Sequence, residues 1–364
     1  MPSGKYTDHM PVRRIAEQTG LTISSVYKIL NGSSGFSAGT RQRVEALAAQ
    51  LQLRPLRPPD SRDLTLGVLL PEHPVYFWNE AIRGIKSTAQ ALQERLGIRI
   101  KPIFRFLHFP LDGIEIETAL CGFAEADCRA YIVYPIDHPA FRDFMDTLPP
   151  EPPVMLFNDL PEDVSFSQRL LERPMTAYVG ADHEKEGADA ARILGERLGG
   201  MHRVLALLSE DSRMATAARL RIDGFTRVVR ELHPPIRVEV QSLAADGKLT
   251  PGFLAARIES DILNGKLDCL YVSSGVTHVA SAAIAKVRRR NCLPLAACPL
   301  CLGHECSPSD RPYLLDGTQC GYVKQDVYTQ ARIAVEQVVT ALSDGTPPTD
   351  GCVRSSVFVN GGAE

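Results

Sequence analysis

The sequence of 364 residues contains a single tryptophan and no apolar run near the roughly 18 residues that span a bilayer, so no membrane passage is expected. Its first residues, M-P-S-G-K-Y-T-D-H-M, lack the apolar core of a secretory signal, which points to the cytoplasm. Nine cysteines, an odd number without such a signal, do not suggest a disulfide framework and read as reduced thiols. The formal net charge of −3 excludes a uniformly basic nucleic-acid binder. There is no Walker loop, no G-x-G-x-x-G after a strand, no G-x-S-x-G and no H-E-x-x-H, so neither an enzyme nor a cofactor is expected. No internal repeat or low-complexity segment is visible.

What is present is ordinary globular composition, 44% hydrophobic and 23% charged, with length enough for two or three domains. The charge is unevenly placed. Residues 1–60 carry eight Lys/Arg against four Asp/Glu, whereas the remainder carries 32 against 39. A basic head on an acidic body suits a head that reads nucleic acid.

The head pattern is local and specific. Val12, Ile15, Ala16 and Thr19 share one helical face after Pro11, which suits a first helical turn. Gly20 is a left-handed terminator, and Thr22 can cap a second helix with Val26, Ile29 and Leu30 turned inward. Ile23, Ser24, Ser25, Tyr27 and Lys28 then face outward, and Asn31-Gly32 closes the helix. Ser37 caps a third helix with Val44, Leu47, Ala48 and Leu51 at core spacing. The spacing predicts a helix-turn-helix DNA-binding domain over 1–55, whose second helix enters the major groove. A small helical bundle used for protein contact is the alternative.

Residues 56–63 form a Pro-rich linker, with Pro58-Pro59 where a helix would otherwise run. From 64 to 364, strand and helix patterns alternate, beginning with the buried-strand signal Leu64–Pro71. Strands are predicted over 98–104, 130–134, 154–157, 177–179, 204–208, 237–242, 269–272 and 321–324. Helices are predicted over 78–96, 139–147, 183–198, 215–231, 252–263, 277–290 and 327–342. The alternation implies an α/β body of doubly wound parallel sheets, and its length fits two lobes sharing a cleft at the strand ends.

Head and body together resemble the lactose repressor/galactose repressor (LacI/GalR) family of transcription regulators, whose body shares the fold of periplasmic sugar-binding proteins. The resemblance rests on I-A-E-Q-T-G-L-T-I-S-S-V-Y-K-I-L-N-G in the head. In the body it rests on L-G-V-L-L-P at 66–71, V-G-A-D-H-E-K-E-G at 179–187, A-R-L-R-I-D-G-F at 218–225, L-G-H-E at 302–305 and V-K-Q-D-V-Y-T-Q-A at 323–331. It implies that Arg13, Thr22, Ile23, Ser24, Ser25, Tyr27, Lys28, Asn31 and Ser37 lie at or near DNA. Tyr27 stands where the family usually has serine. The shortened linker with its prolines departs from the family's hinge helix.

The resemblance further implies a sugar-like effector touched by Phe77, Trp78, Asn158, Asp182, Arg219, Ser274, Glu305 and Gln325. Each has a plainer reading: a core aromatic for Trp78, a helix cap for Asp182, a helix-surface arginine for Arg219. Ser273-Ser274 replaces the family's N-D, so a carboxylate is missing there. Cys298-Pro-Leu-Cys301 near His304 raises a zinc or redox site, but no second ligand pair has zinc-ribbon spacing, and buried thiols are expected. The expected protein is a homodimeric regulator, of repressor type, reading a pseudo-palindromic operator. Its alternative is a cytoplasmic sugar sensor acting through protein contacts.

Overall fold

The computed structural model describes residues 10–22, 25, 26, 29, 35–50, 63–109, 111–198, 201, 203–209, 215–243 and 250–359. The chain divides into two compact units. The first runs up to Gly180 and takes back Val327–Gly351; the second comprises Ala181–Asp326 and the segment from Cys352 onward.

In the first unit, strands β1 (Asp63–Pro71), β2 (Arg99–Leu107), β3 (Ala130–Val133), β4 (Val154–Asn158) and β5 (Thr176–Gly180) lie parallel in the order β2-β1-β3-β4-β5. The short β11 (Gly351–Cys352) joins outside β5. Leu66, Val68, Leu69, Leu70, Ile132, Val133 and Val154–Phe157 are fully buried. Unbroken apolar runs of this kind mark strands covered on both faces, unlike the alternation of a half-exposed sheet. The long helix Val75–Leu96 ends at Gly97, whose φ of 69° places its N–H on the carbonyl of Gln93. Against it packs Val327–Asp344, the last of the described helices. Gly84 permits the approach, since a Cβ there would lie 2.7 Å from the Tyr328 carbonyl oxygen.

The second unit holds β6 (Arg203–Ser209), β7 (Arg237–Leu243), β8 (Cys269–Val272), β9 (Leu300–His304), β10 (Gly321–Lys324) and β12 (Ser356–Val359), ordered β7-β6-β8-β9-β10-β12. All pairings are parallel except β10 with β12. The strand order of the first unit is thus repeated, although no repeat is visible in the sequence. Parallel order is specified by where apolar runs and crossover helices fall, not by which aliphatic residue fills each position.

Helices His183–Leu198 and Ala215–Leu232 cross at close range in the second unit. A Cβ on Gly187 would lie 1.8 Å from the Arg221 carbonyl oxygen, and one on Gly224 would lie 1.9 Å from that of Glu184. The two glycines therefore let the backbones touch. Ala188, Ala191, Leu194, Ile222, Phe225 and Val229 fill the core around them.

Three α-helices and three strands, the two-residue β11 among them, escape the sequence pattern. Gly113–Glu125 begins with Ile114 and Ile116, whose alternation mimics a strand, yet Asp112 caps it by accepting the Glu115 N–H. Val164–Glu172 carries two serines in its first turns and is started by Asp163, which accepts the N–H groups of Ser165 and Phe166. Arg311–Leu315 is too short to show a period. Strand β9 reads L-C-L-G-H, and its Gly303 leaves room for the Thr277 side chain. The edge strand β12 has only four residues.

In the N-terminal part, helices Met10–Thr19 and Ala38–Gln50 are present, and Ser25, Val26 and Ile29 are helical. Gly20 has φ +70°. Thr22 accepts the Ser25 N–H at 3.1 Å through its hydroxyl, and Ser37 accepts that of Thr40 at 3.1 Å. Ile15, Ala16, Val26, Ile29, Val44 and Ala48 are buried. Ile23, Ser24, Tyr27, Lys28, Asn31 and most of the linker lie outside the described residues, as does the side chain of Arg13. No described helix is long and apolar enough to cross a membrane.

The glycine crossing makes a direct prediction. Gly187→Ala and Gly224→Ala should each destabilise the protein by about 3 kcal/mol, because backbone cannot yield as a side chain does. Gly195→Ala, on the same helix with nothing within 4 Å of its would-be Cβ, should be neutral or stabilising by ~0.5–1 kcal/mol. Urea-unfolding midpoints of the three variants check this.

Candidate ligand-binding site

The second unit gathers polar side chains where its parallel strands end. Two helices supply the charges. On Ala215–Leu232, the buried stripe Ala218, Ile222, Phe225 and Val229 carries Arg221 with it. On His183–Leu198, the buried stripe of His183, Gly187, Ala190, Leu194 and Leu198 carries Glu186. Helical periodicity thus turns both ionised groups inward at the glycine crossing.

Arg221 is 0% exposed and Glu186 3%. The Arg221 Nε donates to Glu186 Oε2 at 2.8 Å, and its Nη1 donates to the Ser273 carbonyl at 3.0 Å. Glu186 also bonds His183 Nδ1 at 2.9 Å and accepts from the Ser355 hydroxyl. Burial alone would raise the Glu186 carboxyl, but Arg221 and then His183 outweigh it and hold the group well below the usual carboxylate range. Arg221 experiences the converse: desolvation opposes its charge and Glu186 restores it.

Beside this pair, Tyr271 of β8 stacks on Phe225 at 4.0 Å, and its hydroxyl bonds His304 Nε2 at 2.8 Å. Burial, then the Arg221 charge, pushes His304 well below its ordinary value, leaving it neutral. Glu305 follows the end of β9 with φ +60° and accepts the Gln325 N–H at 3.0 Å. Burial pushes its carboxyl up to about 8, against the pull of the Gln325 N–H and Arg221. Ser274, 2% exposed, follows Ser273 at the end of β8.

Of the residues singled out by sequence, Ser274, Glu305 and Gln325 therefore belong to one buried strand-end set. Asp182 is exposed and caps a helix, accepting the Lys185 N–H at 2.9 Å. Arg219 is exposed on its helix, and the arginine drawn into the cluster is Arg221, two residues on. The two differ by some 200° around the helix axis. The apolar stripe through Ala218, Ile222 and Phe225 was the signal that distinguishes them. Sequence reasoning did not single out Glu186 and His183, although their spacing from Ala190 and Leu194 is that of a buried face.

In the first unit, Phe77 and Trp78 lie in the first turn of their helix, and both are buried. Trp78, 5% exposed, meets Phe77 and Tyr134 edge-on at 4.9 and 5.4 Å, and its indole N–H donates to the His73 carbonyl at 3.0 Å. Asn158 ends β4 with φ +72° and donates through Nδ2 to Gln330 Oε1 at 3.0 Å.

All nine cysteines are free thiols. Cys301 is buried beside the Ser281 hydroxyl, while Cys298 is half-buried near the Pro294 carbonyl. Among the described residues, no group of three or more His, Cys, Asp or Glu is arranged to hold a metal ion.

Residues 66–347 match a family model described as a periplasmic binding protein domain. No curated protein matches the chain in sequence. Among solved structures, a LacI-family transcriptional regulator from Silicibacter pomeroyi aligns with a TM-score of 0.59 at 18% identity, over 96% of this chain and 97% of that one. A periplasmic ribose ABC transporter protein from Conexibacter woesei aligns at TM-score 0.65 and 16% identity, over 82% and 92%. An ABC transporter solute-binding protein from Bacillus halodurans, with bound myo-inositol, aligns at TM-score 0.63 and 17% identity, over 83% and 96%.

The two buried carboxyls predict opposite pH effects. Glu305 keeps its proton in the folded state up to about 8, far above the ordinary 4.5, so its contribution is full below that ordinary value and stability falls as pH rises toward 8. Glu186, held low, contributes stability above its ordinary value and loses it in acid. Glu305→Gln should therefore flatten the decline in urea midpoint between about pH 5 and pH 8 and leave the acid limb in place.

Proposed function

Because the chain belongs to the periplasmic binding protein domain family, we propose that it is a ligand-controlled, sequence-specific DNA-binding transcription regulator of repressor type. The reading that fits the sequence is a helix-turn-helix head on a two-unit effector-binding body. It acts in the cytoplasm as a homodimer whose two heads read a pseudo-palindromic operator. The observation that carries this is the head: a left-handed Gly20, a helix start at Thr22 and another at Ser37 surround the segment I-S-S-V-Y-K. Transport proteins of the same body fold align with less of this chain, whereas the Silicibacter regulator aligns with 96% of it.

In this reading Ile23, Ser24, Tyr27 and Lys28 face the major groove, while Arg13, Thr22, Ser25, Asn31 and Ser37 contact or orient toward the phosphates. The effector is a small sugar, polyol or derivative, the class named for the inositol- and ribose-related neighbours. Its polar groups are read by Arg221, Ser274, Glu305 and Gln325 of the second unit. Phe77, Trp78 and Asn158 are the corresponding candidates of the first. Binding shifts the chain between conformations that differ in operator affinity.

The test is binding of the full-length chain to genomic fragments across a salt series. Lys28→Ala should weaken binding to all sequences alike and lower the salt slope by about 1. Ser24→Ala should instead change preference at one operator position. Normal operator binding by the double alanine variant at moderate salt would refute the head assignment.

A further inference from the structure

A count of hydrogen-bond donors and acceptors in the buried cluster of the second unit is unbalanced. The acceptors are largely consumed. Both Glu186 oxygens are taken, by Arg221 with His183 and by Ser355. The Ser273 carbonyl is taken by Arg221, and one Glu305 oxygen by the Gln325 N–H. The donors are not. Among the described residues, Arg221 Nη2 and Ser274 Oγ are buried without a hydrogen-bond partner. Nδ1 of His304 is a third such atom, donor or acceptor according to its tautomer. A buried guanidinium N–H left unmade is costly, and native proteins rarely leave one so.

A sugar hydroxyl brings one O–H donor along with its two acceptor lone pairs, and that donor would need an acceptor in return. A carboxylate is acceptor-only. The position after β8 that the sequence fills with Ser273-Ser274 carries no acidic side chain to repel it. We infer that the effector carries an ionised carboxylate, seated on Arg221 Nη2 and the Ser274 hydroxyl: a sugar acid rather than a neutral sugar. This inference rests on the proposed role of the cluster as the effector site. A phosphate dianion fits less well, because the one buried guanidinium already shares its charge with Glu186.

Glu305 agrees with this assignment. It feels the charges of Arg221, Glu186 and Lys324, and in turn acts on Cys306 and Tyr322; as a neutral acid it offers one more donor. Its ionisation would place a second negative charge beside the bound carboxylate. Affinity for a carboxylate ligand should then fall as pH rises from 7 to 9. For a neutral polyol gripped by an ionised Glu305, affinity should rise over the same range.

The experiment is calorimetric titration of the full-length protein with paired compounds: glucuronate, galacturonate and gluconate against glucose, galactose and sorbitol, with glucose 6-phosphate as a further arm. At least one acid should bind, at least 100-fold more tightly than its uncharged counterpart. Ser274→Ala, a change small enough to preserve the fold, should weaken that acid about tenfold. Glu305→Gln should remove the loss of acid affinity above pH 7. A neutral sugar or the phosphate binding more tightly than the acids would overturn the carboxylate assignment; if that binding were weakened by Ser274→Ala, the cluster would still stand as the effector site. Failure of every compound to bind would overturn both.

Discussion

The second unit depends on one contact, the fully buried ion pair of Arg221 and Glu186 at the crossing of two helices. Neither charge is tolerable there alone, and removing one partner of such a pair typically costs ~3–5 kcal/mol. The pair forms because Gly187 and Gly224 bring the helix backbones together, which sets the guanidinium and carboxylate within 2.8 Å. From that anchor the remaining polar groups follow. Arg221 fixes the Ser273 carbonyl and hence the end of β8; Glu186 fixes His183 and Ser355, the latter just before the edge strand β12. Packing, electrostatics and the placement of the candidate site are thus one arrangement.

The ion pair is also why the site is selective in what it leaves over. A guanidinium presents donors in a rigid fork, and here two of its nitrogens are committed inside the protein. The third nitrogen is oriented by those commitments and needs no rearrangement to meet a ligand. Preorganisation of this kind reduces the ordering that binding would otherwise require.

Much of this was legible in the sequence where one residue alone decides a local conformation. Gly20 predicted a left-handed turn, and Thr22 and Ser37 predicted helix starts, because each choice is made by a side chain acting on backbone within three residues. The alternation of strands and helices was legible for the same reason. The missed elements had either a contradictory local signal, as with the strand-like Ile114 and Ile116 at a helix start and the glycine of β9, or too few residues to show a pattern, as with Arg311–Leu315 and β12. The site was readable only in part. Ser274 and Gln325 follow predicted strand ends, whereas Glu305 follows a strand that was not predicted; all three came from the family resemblance. Choosing Arg221 over Arg219 needed the rotational phase of the helix, and pairing it with Glu186 needed a tertiary contact across 35 residues of sequence. The duplicated strand order could not be seen, because topology conserves the sequence of elements rather than of residues.

The routing of the chain also bears on how the protein is made. The first unit has its five parallel strands by Gly180, yet the helix that covers Gly84 and packs on Val75–Leu96 begins only at Val327. The intervening stretch builds nearly all of the second unit. At a synthesis rate of ~5–20 residues per second, the ribosome needs on the order of ten seconds or more to reach the missing helix. Throughout that interval the nascent first unit lacks the helix that packs on Gly84 and Ser87, while the parallel strands β6 to β10 of the second unit are being made. The half that starts first is thus covered only after most of the other has been made, and β12 then closes the second unit.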